Sequence, residues 1–227
     1  MDSINMPAYR CLVLDHDDTA VRSTPEINYP SFMDAMRTLR PDFSCTLPEF
    51  MQYNFDPGFS ALCRDILKLD DEELRIQEEN WFRCVMRQAP SFYPGMPELI
   101  RRFRNVGGTV CVVSHSYQKN ILRDYRAGCG LEPDQIYGWE LGEACRKPHP
   151  YPIREILRTT GLLPSDLLMV DDLKPGLDMA HACGVPFAYA GWSCEVPAIA
   201  AYMRAHADFF LDAPADLNRL LFAEQGC

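Results

Sequence analysis

The 227-residue chain predicts an α/β protein with a Rossmann-like parallel sheet and an all-helical unit inserted after the first strand. Three observations carry that expectation. Short apolar runs, Cys11–Leu14, Thr109–Val113 and Leu167–Val170, each end in polar residues, the pattern of strands buried on both faces. From Tyr93 onward such runs alternate with helix-period segments, which gives a parallel sheet with right-handed crossovers. Between Arg22 and Pro90 the helical period runs on with no strand among it, so this block reads as a lid over the strand ends. The expected domains are therefore residues 1–21 with 91–227 as core and 22–90 as cap.

The elements follow in order. Phe32, Ala35, Met36 and Leu39 keep helical spacing until Pro41 stops them. Thr46 with Glu49, and Asp70 with Glu73, are capping-box pairs that open further helices. Phe59, Leu62, Cys63, Ile66 and Leu67 form an apolar stripe between them. Pro97 opens a helix that ends at Gly107-Gly108, and the strand Thr109–Val113 leads into Ser114-His115-Ser116. A helix to about Arg126, a short strand near Gln135–Trp139 and a helix around Ile153–Leu157 come next. Leu167–Val170 ends in Asp171-Asp172, Gly176–Cys183 is helical, and Val185–Ala190 and Phe209–Leu211 are strand-like. A short helix from Ala215 closes the chain, and the stretch between Ala190 and Phe209 carries no assigned element.

Composition narrows the partners. With 47% hydrophobic and 24% charged residues the chain is that of an ordinary globular protein. A net charge of −10 and no basic run argue against nucleic acid or an anionic membrane. Positive charge for any phosphate must then be supplied locally. Met1–Arg10 lacks the cationic-then-apolar pattern of a signal peptide, and none of the ten cysteines lies in a C-x-x-C pair. Reduced thiols in the cytoplasm are expected, with Cys11 and Cys111 serving as small strand hydrophobes.

The chemistry concentrates at strand ends, where open parallel sheets bind ligands. Asp15 and Asp17 follow the first strand two residues apart. One carboxylate of such a pair can attack phosphorus, and the other can protonate the leaving oxygen and later activate water. Their mutual repulsion asks for a cation, and Mg²⁺ takes oxygen ligands of this kind. Thr19 offers a hydroxyl to the same loop. The competing reading is a turn or capping cluster, which Asp and Thr also favour. Ser114 alone reads as a strand-end turn former, Lys147 as an exposed loop lysine, and Asp171-Asp172 as the cap of a following helix. Taken together, in this order and at these strand ends, they read as one site.

On these four clusters the chain resembles the haloacid dehalogenase-like hydrolase superfamily, most of whose members are Mg²⁺-dependent phosphatases. The carriers are D-x-D-x-T at Asp15–Thr19, Ser114, Lys147-Pro148 and Asp171-Asp172. The helical insert resembles the C1-type cap of phosphoglycolate phosphatases and β-phosphoglucomutases, as do Tyr93–Leu99 and Lys147–Pro150. The resemblance implies Asp15 as nucleophile and metal ligand, and Asp17 as general acid/base with its carbonyl on Mg²⁺. It implies Lys147 and Ser114 on the phosphate, with His115 and Thr19 beside it, and Asp172 with Asp171 on the metal. His115 stands where Asn is common, and Gly176 where many members carry another Asp.

The implied function is Mg²⁺-dependent hydrolysis of a small phosphorylated metabolite through an aspartyl phosphate. A sugar-phosphate mutase and a catalytically silent binding protein are the alternatives. Phosphonate hydrolysis wants a Schiff-base lysine, and Lys68 is the only lysine of the insert; a dehalogenase needs no acid at Asp17. His149 reads as a loop or capping residue, His181 as structural and Trp81 as cap core. Arg22, Asn28, Arg37, Tyr53 and Asn54 read as solvated cap surface. Oligomeric state has no signal in the sequence.

Overall fold

In the computed structural model, which describes residues 7–222, β1 (Cys11–Leu14) is fully buried and lies in the interior of the sheet. It pairs in parallel with β2 (Thr109–Val113) on one side and β4 (Leu167–Asp171) on the other, Leu14 standing between Val112 and Val170. β3 (Gln135–Tyr137) extends the sheet beyond β2, and β5 (Phe187–Ala190) and β6 (Phe209–Leu211) beyond β4. The chain thus runs outward on one side of β1 and then outward on the other. Such a reversal leaves a crevice at the carboxyl ends of the central strands.

The insert leaves β1 through a π-helical turn, Thr24–Asn28, into α1 (Tyr29–Leu39). α2 (Leu47–Phe55), α3 (Phe59–Ala61) with a second π-helical turn Leu62–Ile66, and α4 (Asp71–Arg87) follow. Both expected capping boxes form, Thr46 with Glu49 and Asp70 with Glu73. Phe32, Met36, Phe50, Leu62 and Cys63 make the cap its own apolar core. The Arg40 guanidinium donates to both oxygens of Glu73, at 2.6 and 2.8 Å, which ties α1 to α4.

The helices α5 (Met96–Asn105), α6 (Gln118–Cys129), α7 (Tyr151–Thr160), α8 (Lys174–Ala182), α9 (Pro197–His206) and α10 (Pro214–Phe222) cover the sheet. α5, α6 and α10 pack on Leu12, Leu14, Val110 and Val112, while α7, α8 and α9 pack on Cys11, Val13, Cys111 and Val113. Alternate strand residues face opposite layers, which is why the strands read as unbroken apolar runs. α9 is the element with no counterpart in the sequence analysis. It buries only Ile199 and Met203, one turn apart, and its remaining face is rich in alanine.

Two connections join cap and core side by side. Arg22 N–H donates to Ser91 O (2.8 Å) and Tyr93 N–H to Ala20 O (3.0 Å). Away from them the cap also touches the core on both flanks. Phe55 meets Tyr202 of α9 edge-on at 5.4 Å with the Lys174 ammonium over its ring, and Trp81 and Phe82 meet Tyr117, just before α6. The cap is therefore seated over the strand ends on both flanks. Among the described residues no helix is long and apolar enough to cross a membrane, and the described cysteines are free.

Candidate active site

Asp15 continues the β1 ladder with its N–H on Val170 O (2.9 Å), and its carboxylate emerges where β1 ends. Asp171 is the last residue of β4 and Asp172 the next. Lys147 comes from the loop before α7 and reaches both strands. Its ammonium lies 2.7 Å from Asp15 Oδ1 and 2.6 Å from Asp171 Oδ2, with all three side chains buried. Burial by itself would depress the lysine pKa, but the charges of Asp15 and Asp171 outweigh it and hold the pKa above its ordinary value. The ammonium is thus a fixed positive charge.

One ammonium does not balance these acids. Burial, together with Asp171 and Asp17, pushes Asp15 up to about 7 despite Lys147. Burial and the neighbouring carboxylates likewise raise Asp172 far above the usual range. Carboxylate oxygens of Asp15, Asp171 and Asp172 lie within 4.8 Å of one another. Asp171 is committed on both oxygens, Oδ2 to Lys147 and Oδ1 to the Leu173 N–H at 2.8 Å. Asp172 Oδ1 is buried with no hydrogen-bond partner. An orphaned buried carboxylate oxygen beside two other acids is a costly arrangement without a cation. An all-oxygen donor set fits a hard ion such as Mg²⁺.

Gly176 explains how Asp171 comes to be so enclosed. A Cβ at residue 176 would lie 2.1 Å from Asp171 Oδ2, so any larger residue would drive into the carboxylate. An acid at this position is sterically excluded, and the expectation of Asp171 on the metal beside Asp172 meets a carboxylate already paired with Lys147.

Asp17 is held from the β2 side. Ser116 Oγ donates to its Oδ2 at 2.6 Å and Ser114 Oγ at 3.3 Å, while the Ser116 N–H donates to Ser114 Oγ. Ser116 is absent from the sequence-derived set, because a serine two residues past a strand end carries no signal of its own. Asp18 is a further buried acid at the site, in the left-handed region with φ 58° and accepting the Thr24 N–H. Burial, opposed by those Thr24 hydrogen bonds, pushes Asp18 up to about 7.

The remaining expected residues divide. His115 faces the chamber, and desolvation and the Lys147 charge lower its pKa to about 4. The ring is neutral at neutral pH, and its Nε2–H donates to the Lys147 carbonyl (2.9 Å), fixing the tautomer and the lysine loop together. Thr19 is completely buried, is not part of the chamber wall, and accepts the Trp192 indole N–H on its carbonyl. His149 accepts the Tyr151 N–H at the start of α7, and His181 pairs with Asp208 on the surface.

Above the carboxylates cap and core enclose a chamber of about 710 Å³. Trp81, Asn28 and Asn54 line it, which corrects their reading as cap core and solvated surface; Arg22, Arg37 and Tyr53 do not. The seated cap, which sequence spacing does not reveal, turns those side chains inward. A buried chain also links the loop to the cap: His16 Nε2 pairs with Asp124 (3.1 Å), Arg123 donates to Asp124, and the same guanidinium donates to Val85 O of α4.

A family model described as haloacid dehalogenase-like hydrolase matches residues 15–190, a span that begins at Asp15 and covers Ser114, Lys147 and Asp171-Asp172. The chain belongs to the haloacid dehalogenase-like hydrolase family. A phosphoglycolate phosphatase of Mesorhizobium japonicum is 34% identical over 95 residues, which is 41% of this hydrolase and 41% of that protein. The structure of a predicted phosphoglycolate phosphatase from Haemophilus somnus superposes with a TM-score of 0.74 at 19% identity, covering 94% and 98% of the two chains. CbbY from Rhodobacter sphaeroides, in complex with xylulose-(1,5)bisphosphate, gives 0.70 at 19% identity over 92% and 96%. At such identities these structures establish that the haloacid dehalogenase-like hydrolase shares their fold.

Proposed function

We propose that this hydrolase is a Mg²⁺-dependent phosphatase that cleaves a phosphate monoester through an aspartyl phosphate on Asp15. The observation that carries the reading is the pairing of Lys147 with Asp15 at 2.7 Å beside the unpartnered Oδ1 of Asp172. A fixed ammonium and a vacant carboxylate oxygen flank the atom that would attack. Family membership and the phosphoglycolate phosphatase relative support the same chemistry.

Asp15 attacks phosphorus in line while Asp17, oriented by Ser116 and Ser114, protonates the departing alcohol. Asp17 then takes a proton from water, which cleaves the acyl phosphate. Lys147 faces the equatorial oxygens as a charge that need not reorganise, and Ser114 adds its hydroxyl. Asp171 holds Lys147 and His115 fixes its loop. Asp15 and Asp172 would hold Mg²⁺ together with the Asp17 carbonyl. The bound ion supplies charge neutralisation at the phosphate and among these acids. The seated cap excludes bulk water.

The test is phosphate release from an aryl phosphate and, in parallel, from a sugar phosphate, followed with Mg²⁺, with a chelator and with Mg²⁺ restored. Release that stops and resumes with the metal, yielding free phosphate and no isomerised phosphate ester, is the expected result. No release in any condition overturns the reading and favours a silent scaffold. Isomerisation of a sugar phosphate without net release favours a mutase.

A further inference from the structure

The chamber is far larger than a phosphate group, and although polar residues gather at its floor, most of the surface it exposes is apolar. At about 710 Å³ it falls among pockets for drug-sized ligands, about 300–1,000 Å³. Phe50, Phe59, Leu74 and Trp81 line it from the cap, and Trp139 and Ile199 from the core. Phe59 and Trp139 keep 37% and 39% of their surface uncovered, so their rings have area left to give. Packing holds these rings in place: Phe50 and Phe59 meet edge to face, and Trp81 and Trp139 both lean on Tyr117. Trp81 spends its indole N–H on Asn28 Oδ1, which leaves its ring as apolar wall. Cap–core contacts on either flank, Phe55 with Tyr202 and Trp81 with Tyr117, bound the chamber, which stays open to solvent between them.

Charge around the chamber points the same way. Lys147 and Arg64 are the Lys/Arg residues lining it. Lys147 is committed to the floor, and Arg64 pairs with Asp71 at 3.0 Å. Glu78 adds negative charge to the wall. Because the Arg64–Asp71 pair is solvent-exposed, a second phosphate or a carboxylate on the substrate finds only a water-screened cation at the chamber's edge, and a two-carbon hydroxy acid would leave the aromatic walls wet. Apolar walls reward apolar area instead, about fourfold in binding for each buried methylene.

We infer that the substrate carries a single phosphate on an alcohol bearing a bulky, apolar ring system, with Phe59, Leu74, Trp81 and Trp139 as the residues that select it. The inference rests on the phosphatase reading and names the substrate class of that site.

The experiment compares kcat/KM for ethyl phosphate, phosphoglycolate, phenethyl phosphate and naphthylethyl phosphate at one Mg²⁺ concentration. The three simple alcohols leave with similar ease, so wall contact is what differs among them. The expected order is naphthylethyl above phenethyl above ethyl, with at least about 30-fold between the extremes, largely through KM. Phe59→Ala and Leu74→Gln are each expected to narrow the naphthylethyl-to-ethyl ratio; the wild-type series stands if a variant fails to fold. A flat series, or a preference for phosphoglycolate, overturns the inference and leaves the phosphatase reading intact. Release of phosphate from none of the esters overturns both.

Discussion

Asp171 and Lys147 form an ion pair of 2.6 Å in which the carboxylate has no solvent-exposed surface, whereas Asp172, its neighbour in sequence, leaves one oxygen unpartnered. Adjacent acids at one strand end thus have different partners, and we propose that Asp171 positions the lysine while Asp172 is the oxygen donor a metal would use.

The first prediction separates them. Asp172→Ala is expected to raise the Mg²⁺ concentration for half-maximal activity by more than about 10-fold. Asp171→Asn is expected to lower kcat by about 10–100-fold with little change in that concentration. The contrast is read from Mg²⁺ titrations of both variants. Equal shifts in Mg²⁺ requirement would show that both acids bind metal.

Ser116 gives the second. Its 2.6 Å hydrogen bond to Asp17 is the shorter of the two serine contacts on the acid/base. A hydrogen bond to a charged group is worth about 1.5–3 kcal/mol. Ser116→Ala should therefore cost about 10–100-fold in kcat/KM, since Asp17 loses its orientation and its donor. Ser116→Thr, which keeps the hydroxyl, should recover much of the loss. Unchanged kinetics in the alanine variant would remove Ser116 from the mechanism.

The third concerns pH and metal. Asp15 and Asp18 sit at about 7 in the folded protein, against the ordinary carboxylate value of about 4 when unfolded. Between those values the folded form binds more protons than the unfolded one, so stability falls as pH rises. The thermal midpoint of the metal-free protein should drop from about pH 5 to about pH 8. Mg²⁺ should raise it strongly at the higher pH and weakly at the lower, because the protonated acids no longer call for a cation. A Mg²⁺ effect of the same size at both pH values would show that the ion does not bind these carboxylates.

Much of this was readable from residue order alone. β1 and β2 fall where apolar runs and their polar ends put them, because a strand buried on both faces leaves no polar interruption, and β6 at the sheet edge falls on the run Phe209–Leu211. The capping boxes at Thr46 and Asp70 were legible for the same local reason. What spacing could not carry is long-range. Ser116 matters only because β2 lies beside β1 and faces Asp17. The different duties of Asp171 and Asp172 depend on where Lys147 arrives from another loop. Gly176 looks like a missing acid until its neighbour's carboxylate is seen against its Cα hydrogens. Trp81, Asn28 and Asn54 become chamber wall only when the cap is seated, and α9 escaped because Ile199 and Met203 alone mark its buried stripe.

The fourth prediction bears on Asp15 itself. The wild-type protein and an Asp17→Asn variant, which should form the acyl phosphate and hydrolyse it slowly, are mixed with an activated aryl phosphate and Mg²⁺. The reaction is quenched in acid within a turnover and mapped by peptide mass. The account predicts a phosphoryl group on the peptide bearing Asp15, more abundant in the variant and missing from Asp15→Asn. A phosphoryl group on another residue, or turnover by Asp15→Asn at the wild-type rate, would contradict it.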